Sequence, residues 1–110
     1  MNISTREEGV VTVVGVDGNL DTNTAPEAQR HLDGLQDGGV QKILVDFTDV
    51  DYVSSAGLRV LLATAKRISA SGGSLRICGL NETVNEVFEI SGFSMILNVF
   101  GSEAEALEGF

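Results

Sequence analysis

The chain has 110 residues, 43% of them hydrophobic, and a formal net charge of −9 from 7 basic and 16 acidic side chains. That length supports one hydrophobic core, so residues 1–110 are expected to form a single domain. The acidic balance argues against nucleic-acid binding and against anionic membranes, both of which lean on Lys and Arg, and favours solubility or a basic protein partner.

The N-terminal residues Met1 to Glu8 lack the apolar core of a signal peptide, and no apolar run approaches a membrane span, so a cytoplasmic location without membrane insertion is expected. Ile3 to Arg6 reads as a short edge strand and Glu7-Glu8-Gly9 as a turn. Val10 to Val16 is rich in β-branched residues and predicts a strand ended by Asp17-Gly18-Asn19. The two strands are expected to form an antiparallel hairpin.

Thr24-Ala25-Pro26-Glu27 predicts a helix start: a capping Thr, a Pro in the first turn, and a Thr-x-x-Glu box. Ala25, Ala28, Leu32 and Leu35 follow at helical spacing, and Gly38-Gly39 stops the run. His31, the only histidine, sits beside this apolar stripe as a solvated or core-edge residue.

Ile43 to Phe47 is almost continuously apolar, as a strand buried on both faces of a parallel sheet would be. Asp46 interrupts it, and a carboxylate there needs hydroxyl or backbone donors, which assigns it to holding the following loop. Asp49 and Asp51 read as solvated residues of that loop. Ser54-Ser55 then open a long helix, Ser55 to Ala70, with Leu58, Leu61, Leu62, Ala65 and Ile68 on one face and Ser71-Gly72-Gly73 as its end.

Ser74 to Cys78 predicts a further strand. Cys78 is the only cysteine, so no internal disulfide can form, and its apolar neighbours mark it as a buried small hydrophobe. Asn81 caps the next helix, with Val84, Val87 and Phe88 inward and Ser91-Gly92 as its stop. Met95 to Phe100 predicts a last strand. Ser102-Glu103-Ala104-Glu105 is a second capping box, opening a short helix with Leu107 inward. The order is ββα, then βα repeated, which argues for an α/β fold with a small, mostly parallel sheet carrying an antiparallel edge.

The chemistry-bearing patterns of common enzymes are missing from this chain. No Gly-rich run ends in Gly-Lys-Ser/Thr, no dinucleotide fingerprint follows the first strands, and Val53 stands where a hydrolase elbow around Ser55 needs Gly. One Cys and one His do not make a common zinc site. No enzymatic activity, metal or cofactor is therefore expected. The serine pair lies at a strand-to-helix junction, where spare N–H groups and the helix dipole suit a capping hydroxyl and, better still, a phosphate.

Four segments carry a resemblance: Gly18-Asn19-Leu20-Asp21, Leu44-Val45-Asp46-Phe47, Val53-Ser54-Ser55-Ala56-Gly57-Leu58, and Val87-Phe88-Glu89-Ile90-Ser91-Gly92-Phe93. In order and spacing they resemble the STAS domain, and more narrowly the bacterial anti-sigma factor antagonists. The resemblance implies the STAS fold, a sheet of about five strands flanked by about four helices. It also implies partner switching. An unphosphorylated antagonist binds an ATP-using anti-sigma factor serine kinase, is phosphorylated on a serine and released, and is restored by a metal-dependent phosphatase. The output is control of transcription.

The family motif reads Asp-Ser-Ser/Thr-Gly. Aligned on Gly57-Leu58, it places the acceptor on Ser55, with Ser54 in the usual Asp position and as the alternative acceptor. The resemblance further implies a partner-facing surface of Asp21, Thr22, Asn23, Ser54, Ser55, Gly57, Leu58 and Arg59. Taken alone, Asp21 reads equally as a turn-forming residue and the serines as helix caps. The alternative function within the same fold is a STAS module of a transport or other signalling complex, handling a ligand or lipid without a sigma-factor target.

Overall fold

The computed structural model describes residues 1–110. Its five-stranded sheet has the spatial order β1-β2-β3-β4-β5, which is also the chain order. The strands are β1 (Asn2–Glu8), β2 (Val11–Leu20), β3 (Lys42–Val53), β4 (Ser74–Cys78) and β5 (Asn98–Phe100). Helices α1 (Ala25–Asp37), α2 (Ser55–Ala70), α3 (Glu82–Ile90) and α4 (Glu103–Leu107) follow β2, β3, β4 and β5, and a short 3-10 turn spans Phe93–Met95. β1 and β2 are antiparallel, and every other pairing is parallel. This is the mixed, mostly parallel sheet expected from the element order.

The two faces of the sheet are covered unequally. On one face α1, α2 and α3 enclose a core of 20 buried residues, in which Val14, Val16, Val45, Phe47, Leu61, Ile68, Ile77 and Phe88 meet. The rings of Phe47 and Phe88 pack edge to face, 6.3 Å between centroids. The other face carries only α4, whose Ala106 seals a small cluster of Val11, Val13, Leu44 and Cys78. Leu107 is only partly buried, so Ala106 is the inward residue of α4. Arg76 fastens this helix. Its guanidinium lies 5.1 Å from the Phe100 ring centroid and 4.4 Å from that of Phe110. It also donates to the carbonyls of Ala106, Glu108 and Gly109.

Several boundaries differ from the sequence expectation. The hairpin turn falls on Gly9-Val10 rather than Glu7-Glu8-Gly9, because Glu8 still pairs with Val11 and Gly9 takes the positive φ of 63°. β2 does not end at Asp17-Gly18-Asn19 but pairs with β3 up to Leu20. β3 likewise runs on to Val53, so Asp49 and Asp51 are strand residues, not loop residues. Between Gly15 and Asp17, and again between Gly18 and Asn19, β3 spends one residue more than β2. These bulges break the alternation that a strand is recognised by.

Two further readings are corrected. The last strand is only Asn98–Phe100, since Met95 and Ile96 belong to the 3-10 turn and its exit and face outward. The Thr24-x-x-Glu27 box does not form. Thr24 has helical φ and ψ, and its hydroxyl donates to the Asn19 carbonyl and accepts from the Asp21 N–H instead. Asp46 does find the expected donors: Thr48 N–H at 3.0 Å and the Thr48 hydroxyl at 2.6 Å.

Candidate functional site

The site is built where β2 and β3 end side by side. Leu20 pairs with Val53, and the Ser54 N–H donates to the Leu20 carbonyl at 2.9 Å. The residues after each strand, Asp21 to Asn23 and Ser54 onward, thereby become neighbours although they are far apart in sequence.

Asp21 is locked by its own backbone. Its carboxylate accepts from the N–H of Asn23 at 2.9 Å and of Thr24 at 3.1 Å, an Asx-type turn that launches α1. Thr22 and Asn23 are exposed at its crest. On the other side Ser54 is the N-cap of α2, extended in backbone and half-buried, with its hydroxyl oxygen accepting the Gly57 N–H at 3.4 Å. Ser55 is the first helical residue. It is exposed, and its hydroxyl has no hydrogen-bond partner in the chain. Arg59, one turn further along α2, is also exposed and makes no salt bridge. Two other arginines are paired, Arg6 with Glu8 and Glu103 and Arg67 with Asp33 and Asp37.

Two residues expected at the partner-facing surface are buried. Leu58 is 5% exposed and packs in the main core, and Gly57 is enclosed between Leu20 and Val53. The helical period turns them inward while Ser55 and Arg59 face out. They set the depth at which α2 sits. Tyr52, outside the expected set, is 48% exposed on the last turn of β3 beside Val53. Its signal was available: in a strand, the neighbour of a buried residue points away from it.

The chemistry of the surface is that of a presented hydroxyl. No group of three or more His, Cys, Asp or Glu side chains is placed to hold a metal ion. His31 is tied to the Thr5 hydroxyl at 2.6 Å, between α1 and β1, and does not stand at either serine as a base. Cys78 lies fully buried, and burial, with the Asp46 carboxylate adding to it, pushes its thiol up to about 12. No helix is long and apolar enough to cross a membrane.

A family model described as the STAS domain matches residues 2–106. The chain belongs to the STAS domain family. This STAS domain is 39% identical over 93 residues to BtrV of Bordetella bronchiseptica, assigned as an anti-sigma factor antagonist, with 84% of this chain and 80% of the relative covered. It is 31% identical to the anti-sigma-B factor antagonist of Staphylococcus aureus over 106 residues, 96% of this chain and 98% of that protein. In fold it superposes on a crystal structure assigned as an anti-sigma factor antagonist from Thermotoga maritima with a TM-score of 0.91 at 24% identity, covering 96% of this chain and 92% of the other. The Bacillus protein SpoIIAA in its phosphorylated form gives a TM-score of 0.73 at 19% identity, over 97% of each chain. The STAS domain thus has the mixed, mostly parallel five-stranded sheet and the four helices that the resemblance implied.

Proposed function

We propose that this STAS domain is an anti-sigma factor antagonist that works by partner switching, with Ser55 as its phosphoacceptor. The observation that carries the choice of residue is the division of labour at the junction. Ser54 spends its oxygen on capping α2, while Ser55 is exposed and unbonded. A kinase needs a free hydroxyl that can be drawn into its own active site, and Ser55 supplies one on a rigid helix end.

In this reading the unphosphorylated surface of Asp21, Thr22, Asn23, Ser54, Ser55 and Arg59 docks an ATP-binding anti-sigma serine kinase. Transfer of the γ-phosphoryl group to Ser55 Oγ adds about −1.5 to −2 charges there. The first N–H groups of α2 and the positive end of its dipole accommodate that charge, and the unpaired Arg59 is one turn away, so the fold persists. A tightly fitted interface, by contrast, must now desolvate a dianion that the single charge of Arg59 does not balance. Release of the kinase follows from weakened binding. A metal-dependent phosphatase removes the phosphate and resets the protein, and the released or captured kinase sets whether a sigma factor is free.

The reading is tested by incubating the purified protein with its kinase and ATP. Wild type becomes labelled and elutes free of the kinase, whereas Ser55→Ala stays unlabelled and bound. Equal labelling of Ser55→Ala, with loss of label in Ser54→Ala, would transfer the role to Ser54.

A further inference from the structure

Three of the largest exposed apolar side chains of the protein fall within seven residues. Ile90 is 87% exposed, Met95 92% and Ile96 61%. They surround the 3-10 turn after α3, at the edge of the sheet where the parallel strands begin. Ile96 also forms one wall of a shallow groove of about 460 Å³, whose other wall is the second half of α2: Leu62, Ala65, Lys66, Ser69 and Ala70. From Ser55 this groove lies about 10 to 20 Å down the axis of α2, at 1.5 Å of rise per residue. It is therefore separate from the junction surface.

Exposed apolar groups gathered in this way mark an interaction surface, whereas scattered ones need no explanation. The charges around them select the occupant. α3 contains no basic residue, and its solvent face carries Glu82, Glu86 and Glu89 at helical spacing, leading to Ile90. Glu89 accepts a hydrogen bond from the neutral Asn85 side chain at 3.1 Å, so none of these acids is neutralised within the chain. In the groove itself, on the α2 wall, Lys66 is the only charged side chain and has no ion pair. A second copy of this chain, with net charge −9 and the same acidic ridge, is a poor match by charge.

We propose that the Ile90–Met95–Ile96 patch and its groove dock a basic amphipathic helix of a protein partner. Its apolar side chains would cover Met95 and Ile96, its Lys or Arg side would lie along Glu86 and Glu89, and Lys66 would meet an acidic residue on the other side and fix its direction. This surface is independent of the state of Ser55, so the protein can hold one partner here while exchanging another at the junction.

The test uses the full chain labelled with nitrogen-15 and three synthetic peptides. One is an amphipathic helix with Leu on one face and Lys on the other, the second has Glu in place of Lys, and the third has the composition of the first in scrambled order. The Lys peptide should shift the amide signals of residues 86–96 and 62–70 and leave those of 21–23 and 54–59 in place. The Glu and scrambled peptides should not. Ile96→Asp, an exposed position that leaves the core intact, should weaken the Lys peptide by about tenfold or more, the loss expected of an anchor. Glu86→Lys with Glu89→Lys should weaken it several-fold. Three results would overturn the proposal: equal binding of the scrambled peptide, shifts spread over all acidic surfaces with no effect of Ile96→Asp, or a concentration-dependent doubling of mass that Met95→Asp abolishes. The last would make the patch a face between two copies.

Discussion

Gly57 of α2 lies so close to Leu20 of β2 that a methyl group at position 57 would stand 2.7 Å from the Leu20 carbonyl oxygen and 2.8 Å from its Cγ. The same methyl would meet Val53 Cγ2 at 2.8 Å. The carbonyl oxygen concerned is the one that accepts the Ser54 N–H. A single contact therefore sets both the seating of α2 and the alignment of the two segments that make the junction surface. Gly57 is in the helix with ordinary φ, so it is there for close approach and not for backbone freedom. Gly57→Ala should force α2 off the β2 end and destabilise the fold by about 1–3 kcal/mol, the usual range for overpacking. Urea denaturation read by far-ultraviolet circular dichroism measures it. A midpoint equal to that of wild type would show that α2 can shift without loss.

That contact also explains what the sequence could and could not reveal. α2, β4 and α3 were legible to the residue, because Ser54 and Asn81 are local caps and Gly72-Gly73 and Gly92 are local stops. The far half of β3 was not. Its two bulges place Phe47, Val50 and Val53 on the core side three residues apart, a spacing that resembles no strand. Met95 and Ile96 lie outside the strand that their sequence predicts, because an apolar run looks the same whether it is buried in a sheet or exposed beside it. The neighbourhood of Asp21 and Ser54 depends on the pairing of Leu20 with Val53, a long-range event with no local signature. Only the family resemblance brought those residues together beforehand.

The two serines should separate stability from modification. Ser54→Ala removes the α2 cap and should destabilise by about 0.5–1 kcal/mol, the lower part of the capping range, since its contact with Gly57 N–H is long at 3.4 Å. Ser55→Ala removes an exposed, unbonded hydroxyl and should change stability by less than about 0.5 kcal/mol. Thermal melts of the two variants give the first comparison and kinase labelling the second. A Ser55→Ala variant that melts well below Ser54→Ala would mean that Ser55, not Ser54, holds the helix start.

Arg76 is expected to behave as a structural cation whose charge is not replaceable by bulk. It holds the last residues through three carbonyls and two aromatic rings. Arg76→Met keeps the stem but loses those contacts, so α4 should fray while α1 to α3 stay packed. Hydrogen exchange followed by mass spectrometry would show it as faster exchange in residues 103–110 alone. Arg76→Lys should rescue only part of the protection, because an ammonium cannot span the same fork of carbonyls or stack between rings.

Cys78 makes the stability depend on pH in a defined window. It is fully buried beneath Ala106 with the Asp46 carboxylate at 3.8 Å from its sulfur. Burial, the larger cause, and the nearby negative charge raise its thiol from 9.0 to about 12. In the unfolded chain the thiol ionises near its ordinary value, so between pH 9 and 12 the folded state holds a proton that the unfolded state has lost. Stability from this group is thus fully present below pH 9 and falls as pH rises toward 12, by at most about 1.4 kcal/mol per pH unit. Cys78→Ala lacks this dependence, so the difference in unfolding free energy between wild type and variant should shrink steadily from pH 8.5 to 11. Parallel denaturant titrations measure that difference and cancel every contribution common to both proteins. At pH 8 a thiol reagent should label the folded protein only as fast as the protein opens. A difference that stays constant across the window, or immediate labelling of the folded protein, would place Cys78 in contact with water.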